Sequence, residues 1–517
     1  MPVARTRSVA LLGLAGSIVE VEADLSSQLP AFIIIGLPDA ALGEARDRVR
    51  SAAINAGCPL PSRRLTVNLS PAALPKHGSG FDLAIAVACL AAAGEISPQS
   101  VDRVVHLGEL GLDGRLRPID GILPAVLAAA RAGHETVMVP AGSATEAALV
   151  PGIRVVGVAS LLEAAIWHGG EYDEREVETV PSATTATGPT AADTGIEVPG
   201  DLADVSGNDD AVEGMLVAAA GGHHVYLLGP PGAGKTMLAS RLPGILPDLD
   251  ADAALEVASI RSLAGMRPAS GLSFRPPYEA PHHTATAAAM VGGGSRLIRP
   301  GAAARASHGV LFLDEAPEFP SAVLDVLRQP LESGTIAIHR ANAVASFPAR
   351  FQLVLAANPC PCGNDGTAEC TCPPIARRRY LGRISGPLLD RVDVQLRVPR
   401  ITLAALRAAG EKPRMSSADA QAKVIDARAV AAQRLRGTPW RTNAEMPGPW
   451  LRGAGRLHPG GRATAALDRS LERGGITMRG YDRVLKVAWT LADLDGAAVP
   501  RAEHVTRALF FKKGIER

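Results

Sequence analysis

The segment that most constrains this chain is His223-His224-Val225-Tyr226-Leu227-Leu228-Gly229-Pro230-Pro231-Gly232-Ala233-Gly234-Lys235-Thr236, followed by Met237-Leu238-Ala239. An apolar run of strand type ends in G-x-x-x-x-G-K-T, and an apolar helical start follows at once. In that order the loop backbone can wrap closely around phosphates, with its N–H groups and a helix N-terminus facing the anion. Gly229, Pro230, Pro231, Gly232, Ala233 and Gly234 are therefore expected to cradle a nucleoside triphosphate. Lys235 would reach its β- and γ-phosphates, and the Thr236 hydroxyl would hold Mg²⁺.

Two later strands carry the groups such a loop needs. Val310-Leu311-Phe312-Leu313 runs into Asp314 and Glu315. A buried strand sets both carboxylates at the sheet's carboxyl edge, where α/β sheets bind ligands. Asp314 is expected in the Mg²⁺ shell, and Glu315 is expected to polarise the attacking water. Residues 353–357 form a second such strand and end in Asn358, whose amide can orient that water against the γ-phosphate.

Directly afterwards come Cys360-Pro361-Cys362-Gly363 and Cys370-Thr371-Cys372. Two close pairs of thiolates with seven residues between them can close a tetrahedral Zn²⁺ site. Disulfides are the alternative, and a reducing compartment disfavours them. Four thiolates leave no open coordination position, so the expected role is structural. Cys58 and Cys89 sit in apolar surroundings and read as core.

A length of 517 residues predicts about three domains, each able to bury a core. No run of 18 apolar residues lacks charges, so no membrane span is expected. The start, Met1-Pro2-Val3-Ala4-Arg5, lacks the apolar core of a signal peptide, and a cytoplasmic location is expected. The net charge of +1 conceals an asymmetry. Residues 1–170 carry 13 basic and 15 acidic side chains, 171–374 carry 12 and 24, and 375–517 carry 28 and 13. The last part, at +15, favours a polyanion, most simply nucleic acid. Its other use would be pairing with the acidic middle of the chain.

Residues 9–12, 18–21, 32–35, 65–68, 104–107, 137–139 and 155–156 read as strands. Residues 40–56, Asp82–Ala93 and 125–132 read as helices, the first with Arg46, Arg48 and Arg50 on a polar side. Residues 171–196 turn acidic and then rich in Ser, Thr, Ala, Pro and Gly, as a flexible linker does. In the irregular stretch 265–305, His282 and His283 could ligate a metal. Adjacent side chains usually point apart, which favours structural or substrate-contacting roles. Residues 332–350 alternate around Gly334 and suggest a hairpin. Beyond residue 403 the chain reads as helical over 419–436, 461–473, 481–492 and 502–511, with Arg479 ahead of the third helix.

Lys76-His77-Gly78-Ser79-Gly80-Phe81-Asp82-Leu83 and Gly108-Glu109-Leu110-Gly111-Leu112-Asp113-Gly114-Arg115 resemble the proteolytic domain of Lon-type proteases. That domain works through a Ser–Lys dyad, in which lysine deprotonates serine. Lys76 is the only lysine before Lys235, and where Lon carries its lysine this chain reads Ile119-Asp120-Gly121-Ile122-Leu123-Pro124-Ala125. Ser79 lacks its base, so no protease activity is expected.

GPPGAGKT, VLFLDE, LAANPCPCG, GPLLDRVDV and the Lon-like beginning together resemble the magnesium-chelatase-related AAA+ ATPases of the YifB/ComM family, over nearly the whole chain. The resemblance implies an α/β protein in parts. Residues 1–170 would be a Lon-like domain of ribosomal-protein-S5 type without the dyad, and 171–196 a linker. Residues 197–400 would be an AAA+ core with a cysteine insert at 360–372, and 401–517 a helical lid. It further implies a homo-hexameric ring with ATP and Mg²⁺ between subunits. Arg391 would be the arginine finger supplied by a neighbour, and Arg479 the second sensor. The 265–305 insert and the 332–350 hairpin would enter the pore and grip DNA. Similar members are DNA helicases promoting branch migration in natural transformation. Asn208 replaces the family's usual glutamine and Gly480 follows Arg479, neither expected to touch the nucleotide chemistry. A magnesium-chelatase motor subunit and a nucleotide-dependent regulatory scaffold are the alternatives.

Overall fold

The computed structural model describes residues 3–36, 39–72, 74, 76, 78–180, 200–266, 271–294, 298–340, 343–364, 370–402, 407, 414–453 and 458–513. Most of the expected linker, residues 181–196, lies outside them, as do His77, Ser295 and Arg296.

Alternation builds the first sheet. In Ala15–Ser26, Val19, Val21, Ala23 and Leu25 are buried while Glu20, Glu22 and Asp24 face outward, because successive side chains leave opposite faces of a strand. Seven strands line up as Ala31–Ile35, Arg64–Ser70, Ala15–Ser26, Ala4–Leu12, Val105–His106, Thr136–Pro140 and Arg154–Val158. The helix Asp82–Ala93 has no polar side, and every residue from Asp82 to Ala91 is buried. Its one charge, Asp82, is met by Arg48 at 2.8 and 3.0 Å. Arg48 therefore does not share the solvated side of Arg46 and Arg50. Two residues along a helix is a turn of roughly 200°, which points Arg48 inward.

The second sheet is parallel throughout. Its order is Tyr278–Glu279, Val310–Leu313, Gln352–Ala357, Val225–Leu228 and Val394–Arg397. Both faces are covered, so its three inner strands are buried at every position. Val225, Leu227, Val354 and Leu396 share one core with residues of Asp209–Gly221, Lys235–Ile245, Ser417–Arg434, Met478–Leu494 and Ala502–Lys513. Tyr226, Leu228, Leu311, Leu313 and Leu355 pack on the other side with Phe319, Phe347 and Phe351.

Two expectations are corrected here. Arg479 lies in the first turn of Met478–Leu494 rather than ahead of it. Gly334 is not at the turn of the hairpin. It ends the short helix Pro330–Ser333 at φ +66°, and the strands Thr335–Arg340 and Ala343–Pro348 follow, with His339 opposite Val344. The turn itself and the side chain of Arg340 lie outside the described residues. The stretch 265–305 also gains form, since the helix Ala287–Val291 leads into Gly292–Gly293, paired with Arg299–Pro300.

The two sheets are tied through their flanks. The Gly121 N–H donates to the Ser262 carbonyl at 3.1 Å, and Arg299 pairs with Asp120 at 2.8 Å. Leu123 and Val126 share a cluster with Leu255 and Ala258. The segment from Gly121 to Val126 thus packs against the helix Ala251–Leu263.

Candidate nucleotide site and cysteine cluster

Strand order assembles the site. Val225–Leu228 lies beside Gln352–Ala357, which lies beside Val310–Leu313. Three neighbouring carboxyl ends therefore deliver the phosphate loop, Asn358 and the Asp314–Glu315 pair to one edge. Gly234, at φ +91°, lets the loop turn directly into the helix Lys235–Ile245 and leaves that helix N-terminus facing the edge. The Thr236 hydroxyl donates to Asp314 Oδ2 at 2.7 Å. A hydroxyl and a carboxylate converging on one point are the hard oxygen donors that suit Mg²⁺.

Lys235 is folded back. Its ammonium donates to the carbonyls of Gly229 at 2.6 Å and Pro230 at 2.9 Å and to Asn358 Oδ1 at 3.0 Å. Burial pulls its pKa down, while Asp314 and Glu315 oppose that shift. For Lys235 to meet an anionic ligand it must exchange these acceptors, Asn358 Oδ1 among them.

Glu315 has φ +50°, sparsely populated for a residue with a side chain. Its N–H donates to Asp314 Oδ1 at 2.9 Å, and its carboxylate is half exposed. His283 Nδ1 stands 3.6 Å from Glu315 Oε2. The rings of His282 and His283 lie only 4.0 Å apart, so the expectation that they point apart is wrong. That expectation assumes an extended backbone. Here both residues sit beyond the strand Tyr278–Glu279, where the chain turns. Sequence reasoning missed His283 as a neighbour of Glu315. The available signal was a polar residue just past a strand beside Val310–Leu313.

Asn208 also proves closer than expected, its amide donating to the Ala233 carbonyl of the phosphate loop at 3.4 Å. Arg391 pairs with Glu332, donates to the Pro387 carbonyl at 2.5 Å and is almost wholly covered. Arg479 is exposed and lines a surface pocket with Asp482, Arg483 and Lys486. Among the described residues no hydrogen bond ties either arginine to the phosphate loop. The carboxyl-terminal helices reach the sheet instead through buried His223, which bonds Asp393 at 3.0 Å and Thr490 at 2.8 Å. Arg483 completes that link at 2.7 Å from Asp393.

The four cysteines converge. The Cys360 sulfur lies 3.3 Å from Cys362 and 3.8 Å from Cys370, with 3.7 Å between Cys362 and Cys370. All four sulfurs, Cys372 included, lie within 4.8 Å of one another. A Zn–S bond of ~2.3 Å in a tetrahedron sets sulfur–sulfur edges near ~3.8 Å. The cluster fits that ion. Elsewhere, the Ser79 hydroxyl donates to Glu109, while the Lys76 ammonium donates to the Pro71 and Leu74 carbonyls at 2.5 and 3.3 Å.

Family models match three stretches of the chain. Residues 201–406 match the magnesium chelatase subunit ChlI family, 21–143 match the model for subunit ChlI of Mg-chelatase, and 414–512 match the ChlI C-terminal family. Competence protein ComM of Haemophilus influenzae is 40% identical over 517 residues, covering 99% of this chain and 98% of that protein. YifB of Escherichia coli is 38% identical over 505 residues, covering 97% and 96%. The chain belongs to the YifB/ComM family. An uncharacterized protein of Mycobacterium tuberculosis is 49% identical over 514 residues, 99% of both chains. Lon protease of Rhizobium meliloti is 35% identical over 113 residues, 21% of this chain and 14% of that protein. The parallel sheet and its phosphate loop are accordingly the α/β core of an AAA+-type motor. Among the described residues no helix is long and apolar enough to cross a membrane.

Proposed function

We propose that the chain hydrolyses ATP to drive DNA through a ring of its own copies, as a cytoplasmic branch-migration helicase in transformation or recombination. One observation carries the reading: Thr236, Asp314, Glu315, Lys235 and Asn358 converge at one edge of a parallel sheet. Thr236 and Asp314 would hold Mg²⁺, which would neutralise phosphate charge and leave the γ-phosphoryl open to in-line attack by water. Glu315 takes up the proton of that water, and Lys235 and the loop N–H groups hold the phosphates. Arg391 would act on the nucleotide of the adjacent subunit, leaving Glu332 to do so, and Arg479 would report from the lid formed by residues 401–517. Residues 1–170 would be a Lon-like domain, 171–196 a linker and 197–400 the motor core.

Several features support DNA as the polymer. The Haemophilus influenzae relative is a competence protein by name. The hairpin Thr335–Arg340/Ala343–Pro348 buries Ile336 and Phe347 at its base and Ala345 farther along, and exposes His339 and Val344 towards its end. Part of the carboxyl-terminal positive charge is used internally, as in Arg507 with Asp210 and Glu213 at 2.5 Å. Arg383 and Arg391 likewise meet Glu318 and Glu332. Phosphate contacts by such a basic region would give binding that is strong at low salt and tolerant of sequence. The family models carry the chelatase name, which favours as second reading a chelatase-type motor that drives metal insertion. ATPase rates with and without single-stranded, duplex and branched DNA separate them. Stimulation by DNA is expected. Indifference to all three forms would leave a regulatory scaffold, and dependence on a porphyrin partner would leave the chelatase motor. The cysteine cluster holds a structural Zn²⁺ in this reading, and elemental analysis of protein purified without chelator should find about one zinc per chain.

A further inference from the structure

The cysteine cluster stands directly against the phosphate loop. Between Ala357 and Gly363 the chain touches that loop three times. The Ala357 carbonyl accepts from the Gly229 N–H at 3.1 Å, and Asn358 accepts from Lys235 at 3.0 Å. At the third contact Gly363 is buried under the Pro231 ring. A Cβ on Gly363 would come within 2.6 Å of both Cδ and Cγ of Pro231, and Gly363 has φ +77°. Its N–H is bound to the Cys360 carbonyl at 3.0 Å, inside the first cysteine pair. The residue that presses on the loop is thus fixed by the turn that presents two of the four sulfurs.

We infer that Gly363 is a positioning residue for the phosphate loop, and that metal on the four thiolates and nucleotide on the loop stabilise one another through the Gly363–Pro231 contact. This rests on the zinc reading above. A cation bound by all four sulfurs, which lie within 4.8 Å of one another, would tie Cys360 and Cys362 to Cys370 and Cys372 across the turn that sets Gly363 against the ring. With the cation, the turn is closed covalently enough to act as a stop, and the loop keeps the conformation that receives phosphate. Binding linkage is reciprocal: whatever factor the metal adds to nucleotide affinity, nucleotide must add to metal affinity. A metal that served folding alone would carry no such factor.

The test is a set of equilibrium measurements on the full chain, with a fluorescent non-hydrolysable ATP analogue and Mg²⁺. Stripping zinc with a chelator should weaken analogue binding by roughly 10-fold, within the usual range of coupling. Gly363→Ala keeps all four thiols and should keep its zinc, yet weaken the analogue comparably. Shrinking the ring it strikes should restore part of the loss, so Pro231→Ala combined with Gly363→Ala should bind better than Gly363→Ala alone. In the reverse direction, bound analogue should slow the transfer of zinc to a colorimetric chelator. It should not do so in Lys235→Ala protein. Unchanged analogue affinity in folded, zinc-bearing Gly363→Ala would overturn the inference, as would zinc release indifferent to nucleotide. If the wild-type protein holds no zinc, the metal reading fails by itself, while Gly363→Ala and its rescue still decide whether the contact positions the loop.

Discussion

At the scale of single residues, the nucleotide edge separates binding from chemistry. Lys235 lies folded against the loop carbonyls and would belong to the cradle in the proposed reading, whereas Glu315 stands beyond it in a left-handed conformation with a half-exposed carboxylate. Glu315→Gln should therefore keep ATP affinity within about threefold and lower kcat roughly 100-fold or more, the scale of a lost general base. Lys235→Ala should weaken ATP binding itself. Near-normal turnover in both variants would refute the assignment. Arg391 poses a different problem, since Glu332 and the Pro387 carbonyl already occupy its guanidinium within one chain. If it serves a neighbour's nucleotide, Arg391→Ala should bind ATP normally and lose about 1,000-fold in kcat. Rings mixed from Arg391→Ala and Lys235→Ala subunits should regain activity at interfaces that pair an intact loop with an intact arginine. No recovery in rings shown to be mixed would mean that Arg391 works in its own subunit or not at all.

Among the elements, the hairpin is the one whose base and end differ most. Phe347 and Ala345 are fully buried with the sheet core, and Gly13, in the turn after Ala4–Leu12, packs so closely that a Cβ there would meet the Ser346 carbonyl at 2.7 Å. Such a base fixes the direction of the strands, and His339 and Val344, farther along them, are exposed. Arg340 is the basic residue nearest that end in Thr335–Arg340. Arg340→Ala should lower DNA affinity about equally across sequences and flatten the salt dependence by close to one released counterion. Basal ATPase without DNA should persist, because the phosphate loop lies elsewhere. Salt titrations of wild type and variant with the same slope and midpoint would remove the hairpin from the DNA path. An ordinary exposed ion pair would show only a stability change of roughly 0–1 kcal/mol.

For the whole molecule, buried histidines set a pH limit. His106 and His168 share an Nε2–Nε2 contact of 2.9 Å, with Thr6 and Ser100 bonded to the outer nitrogens at 2.7 and 2.8 Å. Burial pushes His168 and His224 down to about 4, and burial with the facing His168 holds His106 well below its usual value. Unfolded histidine titrates near ~6.5, so below that pH the unfolded chain takes up protons that the folded chain refuses. Stability is complete above the unfolded value and falls as pH drops from about 6.5 towards 4, by roughly 2 kcal/mol per histidine at pH 5. Asp82 acts in the opposite sense. Burial raises it to about 6 against the pull of Arg48, so its protonation returns roughly 1 kcal/mol over the same interval. The net expectation is a lower urea midpoint at pH 5 than at pH 7.5. An equal or higher midpoint would show that these histidines titrate freely.

What the sequence determined by itself was everything written in local pattern. Gly229 to Thr236, the two carboxylates after Val310–Leu313 and the two C-x-C pairs each announce their chemistry through spacing along a few residues. The helix Asp82–Ala93 was legible for the same reason, since an unbroken apolar run has nowhere to go but a core. Tertiary structure alone decided which of these meet. It brought Asn358 to Lys235 across 123 residues, Thr236 to Asp314 across 78, and Gln352 to the Ala218 carbonyl across 134. It placed His283 by Glu315, Glu332 on Arg391 and Gly363 under Pro231. None of those partners follows a periodicity, because each depends on the order in which strands lie in the sheet. That order is set by the crossovers and the burial of both faces, not by any one strand's own residues.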